Sequence, residues 1–165
     1  IQSICPVFNT SRMVTDYGRE AYLPSAWRGK DLSSDHFAKA KELEQWQERV
    51  RHAWGDIRIA SLEAQGTEEA VVGTDITVQT KIALGRIRPE DVVVELFYGP
   101  LNSHNEISDA DTVPLEYEQA VEDSLHVFKG SIPCRKSGRY GFTLRIIPHH
   151  PSLSTPLDTG LIVWG

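Results

Sequence analysis

Apolar residues change their period once along this chain, and the change divides it near Gly55. Upstream the spacing is helical. Met13, Val14, Tyr17 and Ala21 follow an Asn9-Thr10-Ser11 capping run, and Pro24 is expected to close a first short helix. After a linker holding Trp27 and Gly29, a second helix is predicted to open at Ser33 or Ser34, with Asp35 in the first turn where the helix dipole favours negative charge. Phe37, Ala40, Leu43, Trp46, Val50 and Trp54 then recur at steps of three and four, forming one apolar stripe. Lys39, Lys41, Glu42, Gln45, Glu48, Arg49 and Arg51 lie on the opposite face, so this helix is docked on one side and wet on the other.

From Asp56 the period becomes two. Ile57 and Ile59 alternate, then Ile76, Val78, Thr80, Ile82 and Leu84; Val92, Val94, Leu96 and Tyr98; Val113, Leu115 and Tyr117; Leu125, Val127 and later Ile132; Tyr140, Phe142, Leu144 and Ile146; and Leu161 with Val163. These are about seven short strands separated by Gly, Pro, Asn and Asp clusters. The pattern predicts a mainly β chain: an immunoglobulin-like antiparallel β-sandwich over residues 56–165, preceded by two α-helices within residues 1–55. Ser137-Gly138-Arg139-Tyr140-Gly141 carries the local pattern of a tyrosine corner, in which a buried phenol hydroxyl bonds back to the main chain, so Tyr140 is read as a structural residue.

A first helix this short is marginal alone, since isolated helices below roughly 12–15 residues rarely hold in water. Its apolar face needs a partner, and the chain opens at Ile1. The expectation is a C-terminal piece of a longer protein.

The net charge of −6 sits almost wholly downstream of residue 54, with acidic runs such as Glu68-Glu69 and Glu116-Tyr117-Glu118. No basic stripe offers itself to a phosphate backbone, so no nucleic-acid partner is expected. No apolar run approaches the roughly 20 residues of a membrane span, and no signal peptide is legible, which leads to an expectation of a cytoplasmic protein with no membrane partner. Cys5 and Cys134 are far apart in sequence and are read as reduced, packed thiols.

The residues offer little reactive chemistry. There is no Gly-rich phosphate loop and no nucleophile elbow. His149-His150, with His104 or His126, lacks four converging ligands, and neither Asp109 with Asp111 nor Asp91 with Glu95 is placed as a glycosidase pair. No metal, cofactor or catalytic residue is expected within this chain.

Three blocks carry a resemblance: Phe8-Asn9-Thr10 with Arg12-Met13-Val14, Tyr17 and Tyr22-Leu23-Pro24; Pro89 through Leu96 followed by Tyr98-Gly99-Pro100-Leu101; and Pro133-Cys134-Arg135 with Ser137 through Thr143. Together and in this order they resemble the C-terminal region of the bacterial and archaeal α-glucan (glycogen and maltodextrin) phosphorylases. The resemblance implies a parent enzyme that releases glucose 1-phosphate from α-1,4-glucans with pyridoxal phosphate as cofactor. It also implies that the Schiff-base lysine lies upstream, because Lys30, Lys39, Lys41, Lys81, Lys129 and Lys136 do not stand in a matching context. This chain alone is then expected to be inactive.

Two roles remain for it. In the first it is a structural accessory domain braced on the catalytic body, with Trp46, Trp54 and the Met13/Tyr17 stripe at the contact, and with self-association through those helix faces when the body is absent. In the second it is a carbohydrate-binding module that holds the α-glucan on exposed rings, for which Phe97, Tyr98, Tyr117 and Trp164 are the candidates.

Overall fold

The computed structural model describes residues 10–66, 72–122 and 124–165. Cys5, Phe8, Asn9, Glu68 and Glu69 lie outside them. The chain forms two compact units, Ile1–Trp46 and Gln47–Gly165.

The helical part differs from the two separate helices expected. Helix α1 (Thr10–Tyr17) runs through a π turn (Gly18–Tyr22) into α2 (Leu23–Ala53) without a linker. Pro24 lies within a continuous helical run and fails to end it because the wider π turn directly before it offsets the hydrogen-bond ladder where the ring removes an N–H and crowds the preceding turn. The expected helix start at Ser33-Ser34 coincides with a kink that divides α2 into two helical stretches. Ser34 through Phe37 leave helical dihedrals, with Asp35, His36 and Phe37 at positive φ of 49°, 54° and 64°. Of the expected stripe, Leu43, Trp46, Val50 and Trp54 are buried, whereas Phe37 is exposed. Arg49, placed on the wet face from sequence, is exposed and reaches the buried Asp91 (Nη2 to Oδ2, 3.1 Å).

The second unit holds eight strands in two four-stranded antiparallel sheets. One sheet has the order β1 (Arg58–Gln65), β2 (Asp75–Ala83), β6 (Leu125–Pro133), β5 (Glu116–Glu122). The other runs β4 (Asp111–Pro114), β3 (Val92–Pro100), β7 (Tyr140–Pro148), β8 (Val163–Trp164). The strand count exceeds seven because the run Val113-Leu115-Tyr117 is two strands in different sheets. Leu115 sits at the crossing: its N–H still bonds Val94 O at 2.7 Å, while Glu116 already pairs with Lys129 of the other sheet. Gly130 makes room for the crossing, since a Cβ there would lie 2.5 Å from Leu115 Cδ2.

Cross-strand partners share a face, so the register defines the core. Val94, Leu96 and Tyr98 oppose Ile146, Leu144 and Phe142 on the inner face of the β3/β7 sheet. In the other sheet Ile76, Val78, Thr80 and Ile82 oppose Ile132, Gly130, Phe128 and His126. The expected inward set Leu125, Val127 and Ile132 is therefore corrected for β6: Ile132 shares its face with His126 and Phe128, and Val127 pairs with the exposed Lys81 on the other face. Most of these inner residues have almost no accessible surface, among them Leu96, Leu144 and Ile82. At the far end Gly99 and Gly141 are direct partners, and their bare backbones admit Leu101 and Ile107 from the β3–β4 loop. A Cβ on Gly99 would come within 2.8 Å of Ser108 O, and one on Gly141 within 2.7 Å of Leu101 Cδ2.

Candidate functional site

Two surfaces of the sandwich unit gather side chains of mixed chemistry. The first is the open end between the sheets. Two adjoining cavities of about 340 and 710 Å³ share Tyr98, Pro133, Lys136, Ser137, Gly138 and Tyr140, so they form one cleft. Its apolar wall includes Ile76 and Ile132 from one sheet and Phe142 from the other. Asp109, Asp111, Arg135 and Arg139 line its polar side. The segment after β6 is anchored by reciprocal bonds, Gly73 N to Cys134 O (2.8 Å) and Cys134 N to Thr74 O (2.9 Å). Gly138, at φ 140°, then turns the chain into β7 in a region side-chain-bearing residues rarely adopt.

Tyr98 is 8 % exposed and stands directly opposite both Phe142 and Asp111 in the ladder. Burial pushes its phenol pKa up, the nearby Asp111 carboxylate pushes it further, and Arg135 pulls it back. Tyr140 departs from the expected corner geometry. It is 41 % exposed, and its hydroxyl makes no hydrogen bond to another described residue. As the first residue of β7 it lines the cleft with its ring partly in solvent.

The second surface is the outer face of the β3/β7/β8 sheet. Phe97 and Trp164 meet edge to face, with centroids 5.4 Å apart. The Arg145 guanidinium lies 5.5 Å from the Phe97 centroid and 5.7 Å from that of Trp164. Arg145 is itself held by its cross-strand partner Glu95, donating from Nε (2.6 Å) and Nη2 (2.5 Å) to Oε1. Glu95 is 8 % exposed, so the pair is shielded from solvent and stiff, whereas Trp164 remains 48 % exposed.

The four aromatic candidates thus occupy three places. Phe97 and Trp164 come together on the outer face, Tyr98 lines the cleft, and Tyr117 sits on the edge strand β5 against His126 and Phe128. Trp46 and Trp54 are both covered by this chain. The polar side of the cleft escaped sequence reasoning, because Asp111 and Arg135 belong to segments whose meeting depends on the β3–β4 pairing.

Asp91 and Glu95 are each committed to an arginine, which leaves neither carboxylate free for acid–base work. Among the described residues no group of three or more His, Cys, Asp or Glu is placed to hold a metal. All six lysines are exposed, and Lys39 is engaged by Asp31. A Schiff-base lysine for pyridoxal phosphate is activated by a desolvated pocket, so the lysines present do not fit that cofactor. No helix of the described residues is long and apolar enough to cross a membrane.

These features define a β-sandwich module with a long helical lead. Residues 54–165 match the family model described as the glycogen phosphorylase C-terminal domain, and the chain belongs to that family. It is 29 % identical over 163 residues to the glycogen phosphorylase of Mycobacterium bovis (strain ATCC BAA-935 / AF2122/97), covering 98 % of this chain and 19 % of that protein. The glycogen phosphorylase of Mycobacterium tuberculosis (strain ATCC 25618 / H37Rv) matches at 28 % with the same coverage. The maltodextrin phosphorylase of Thermococcus litoralis (strain ATCC 51850 / DSM 5473 / JCM 8560 / NS-C) matches at 27 % over 173 residues, 99 % of this chain and 19 % of that protein. The chain therefore corresponds to the C-terminal region of a glucan phosphorylase and spans about a fifth of the length of the curated relatives it matches.

Proposed function

We propose that this chain is a non-catalytic accessory domain of an α-glucan phosphorylase, and that its helical lead docks on the catalytic body. One observation carries this reading. Met13, Val14, Tyr17, Tyr22, Leu23, Trp27 and Phe37 are all exposed, with Trp27 at 68 %, in a chain that matches only 19 % of each relative. So many large apolar side chains left in water within residues 13–37 are the kind of surface that a protein contact covers. The parent would perform the phosphorolysis, releasing glucose 1-phosphate with pyridoxal phosphate bound outside residues 1–165, in the cytoplasm. The strand orders 1-2-6-5 and 4-3-7-8 support an immunoglobulin-like topology, and the change of period at Gly55 supports a division into residues 1–55 and 56–165.

The test adds this chain to a phosphorylase polypeptide lacking the matching segment. The expected outcome is a stable complex by sedimentation, weakened when Tyr17→Ser, Tyr22→Ser and Trp27→Ser are combined. Equal affinity for that triple variant would sink the docking role. The chain alone should release no glucose 1-phosphate from glycogen.

A second reading, a carbohydrate-binding module, is favoured by the outer-face pair Phe97 and Trp164. Arg145 and Glu95 neutralise each other beneath these rings and hold them rigid, leaving an exposed indole suited to a neutral sugar. Retardation in a glycogen-containing gel, lost on Trp164→Ala, is the expected signature.

A further inference from the structure

The cleft at the open end of the sandwich is built differently from the outer-face rings. Its walls are apolar and aromatic, with Phe142, Ile76 and Ile132 behind Tyr98 and Tyr140. Its polar groups are balanced: Asp109 and Asp111 face Arg135 and Lys136, while Arg139 is occupied in donating to Asn105 Oδ1 at 3.1 Å. Among the described residues Asp111 and Arg135 form no ion pair, with each other or elsewhere, although both act on Tyr98. The Tyr98 hydroxyl, at a largely buried residue, makes no hydrogen bond to another described side chain. A carboxylate acceptor, a guanidinium donor and two unbonded phenols are therefore set around the cavity of about 710 Å³, within the size range of small-ligand pockets.

Such a set discriminates by charge. An anion would meet Asp109 and Asp111 and a cation Arg135 and Lys136, while a purely apolar group would make no use of these exposed polar side chains. A neutral ring with vicinal hydroxyls satisfies every group, since each hydroxyl both donates and accepts, and its C–H face packs on an aromatic ring. We propose that this cleft holds one neutral pyranose, the terminal glucosyl unit of an α-glucan chain, with its C–H face on Tyr140 and Phe142 and its hydroxyls spanning Asp111 and Arg135. The proposal rests on the carbohydrate-binding reading above and adds to it a second site that selects chain ends, where the outer-face rings would take the polymer along its length.

Titration of the 165-residue chain with maltose, followed by amide and indole NMR shifts, tests it. The expected result is a saturable change at Tyr98, Gly138 and Gly141, with little at the Trp164 indole. Asp111→Asn and Arg135→Gln should each weaken that binding about tenfold or more, as removal of one charged hydrogen-bond partner does. Trp164→Ala should leave it unchanged while abolishing retardation in gels of linear amylose, which offers the outer-face rings a long chain and the cleft few chain ends. Shifts confined to the Trp164 indole would overturn the cleft proposal and leave the module reading standing. Absence of any saturable change together with absence of gel retardation would remove both. Saturable binding of benzoate in place of maltose, or maltose affinity untouched by Asp111→Asn and Arg135→Gln, would also overturn it.

Discussion

The helical lead and the sandwich solve the same problem in opposite ways. In the unit Gln47–Gly165 the inner faces of two sheets close on each other, and Val78, Ile82, Leu96, Leu144 and Ile146 are left with almost no exposure. In the unit Ile1–Trp46 the large apolar side chains from Met13 to Phe37 stay in water. The difference teaches where folding free energy resides. Burial of apolar surface stabilises by roughly 25 cal/mol per Å², so the sandwich carries its own stability while the lead has yet to gain its share.

Truncation of apolar side chains in both units separates buried from solvated contributions. Leu96→Ala removes a fully buried side chain and should cost about 2–5 kcal/mol in urea unfolding, since the cavity collapses only partly. Met13→Ser and Val14→Ser should each stay within about 0.5 kcal/mol, because those side chains are already solvated. A large loss from either upstream substitution would show that the lead contributes a core of its own.

A smaller but more local effect is expected at the strand crossing. Gly130→Ala sets a methyl 2.5 Å from Leu115 Cδ2, and the backbone of Pro114 lies 3.4 Å away, so relief must come from moving Leu115. Overpacking of this kind costs roughly 1–3 kcal/mol. Combining it with Leu115→Ala should recover part of that loss, whereas full additivity of the two would place the strain elsewhere.

That crossing also marks the limit of what the sequence reveals. Alternation located most strands of the sandwich, because a half-buried strand must alternate, and it placed Val94, Leu96, Leu144 and Ile146 inside. It read Val113-Leu115-Tyr117 as one strand because period alone carries no information about which sheet each half pairs with. In β6 it put Val127 on the same face as Ile132; Val127 is buried, but on the other face, and a buried outer-face valine is indistinguishable by type from an inner one. Pro24 misled because the π turn directly before it accommodates the ring inside a continuous helix, and no sequence period announces a π turn. The outer-face pair of Phe97 and Trp164 was half legible: both rings were candidates, but the Glu95–Arg145 brace beneath them required the β3–β7 register. The cleft's polar set was not legible, since Asp111, Arg135 and Tyr140 come from three segments joined only in space.

A weaker dependence, on pH, sharpens the description of the sandwich interior. Burial holds His126 below its ordinary value of 6.5, on the inner face beside Phe128, and its Nδ1 is buried without a partner. The neutral ring is thus the folded form. Its stabilising contribution is complete above pH 6.5, the unfolded value. As pH drops further the unfolded chain binds a proton that the folded chain refuses, and stability falls until the lower folded value is passed. Thermal unfolding at about pH 7.5 and about pH 5.5 should therefore differ more for the parent chain than for His126→Gln. Equal differences would mean that His126 is solvated.

The smallest expected effect is the most telling. Removing residues 1–37 deletes every exposed large apolar side chain of the lead and keeps the buried Leu43, Trp46, Val50 and Trp54. If the sandwich is self-sufficient, the shortened chain should unfold within about 0.5 kcal/mol of the parent, because solvated side chains contribute little to stability. Its sedimentation should change more than its stability. The parent chain is expected to self-associate with rising concentration through Tyr17, Tyr22 and Trp27, and the shortened chain to remain monomeric. A loss of more than about 2 kcal/mol on truncation would reverse the comparison, since only a lost structural mechanism has an effect of that size. The lead would then be a brace for the sandwich, and its exposed rings could no longer be assigned to a partner.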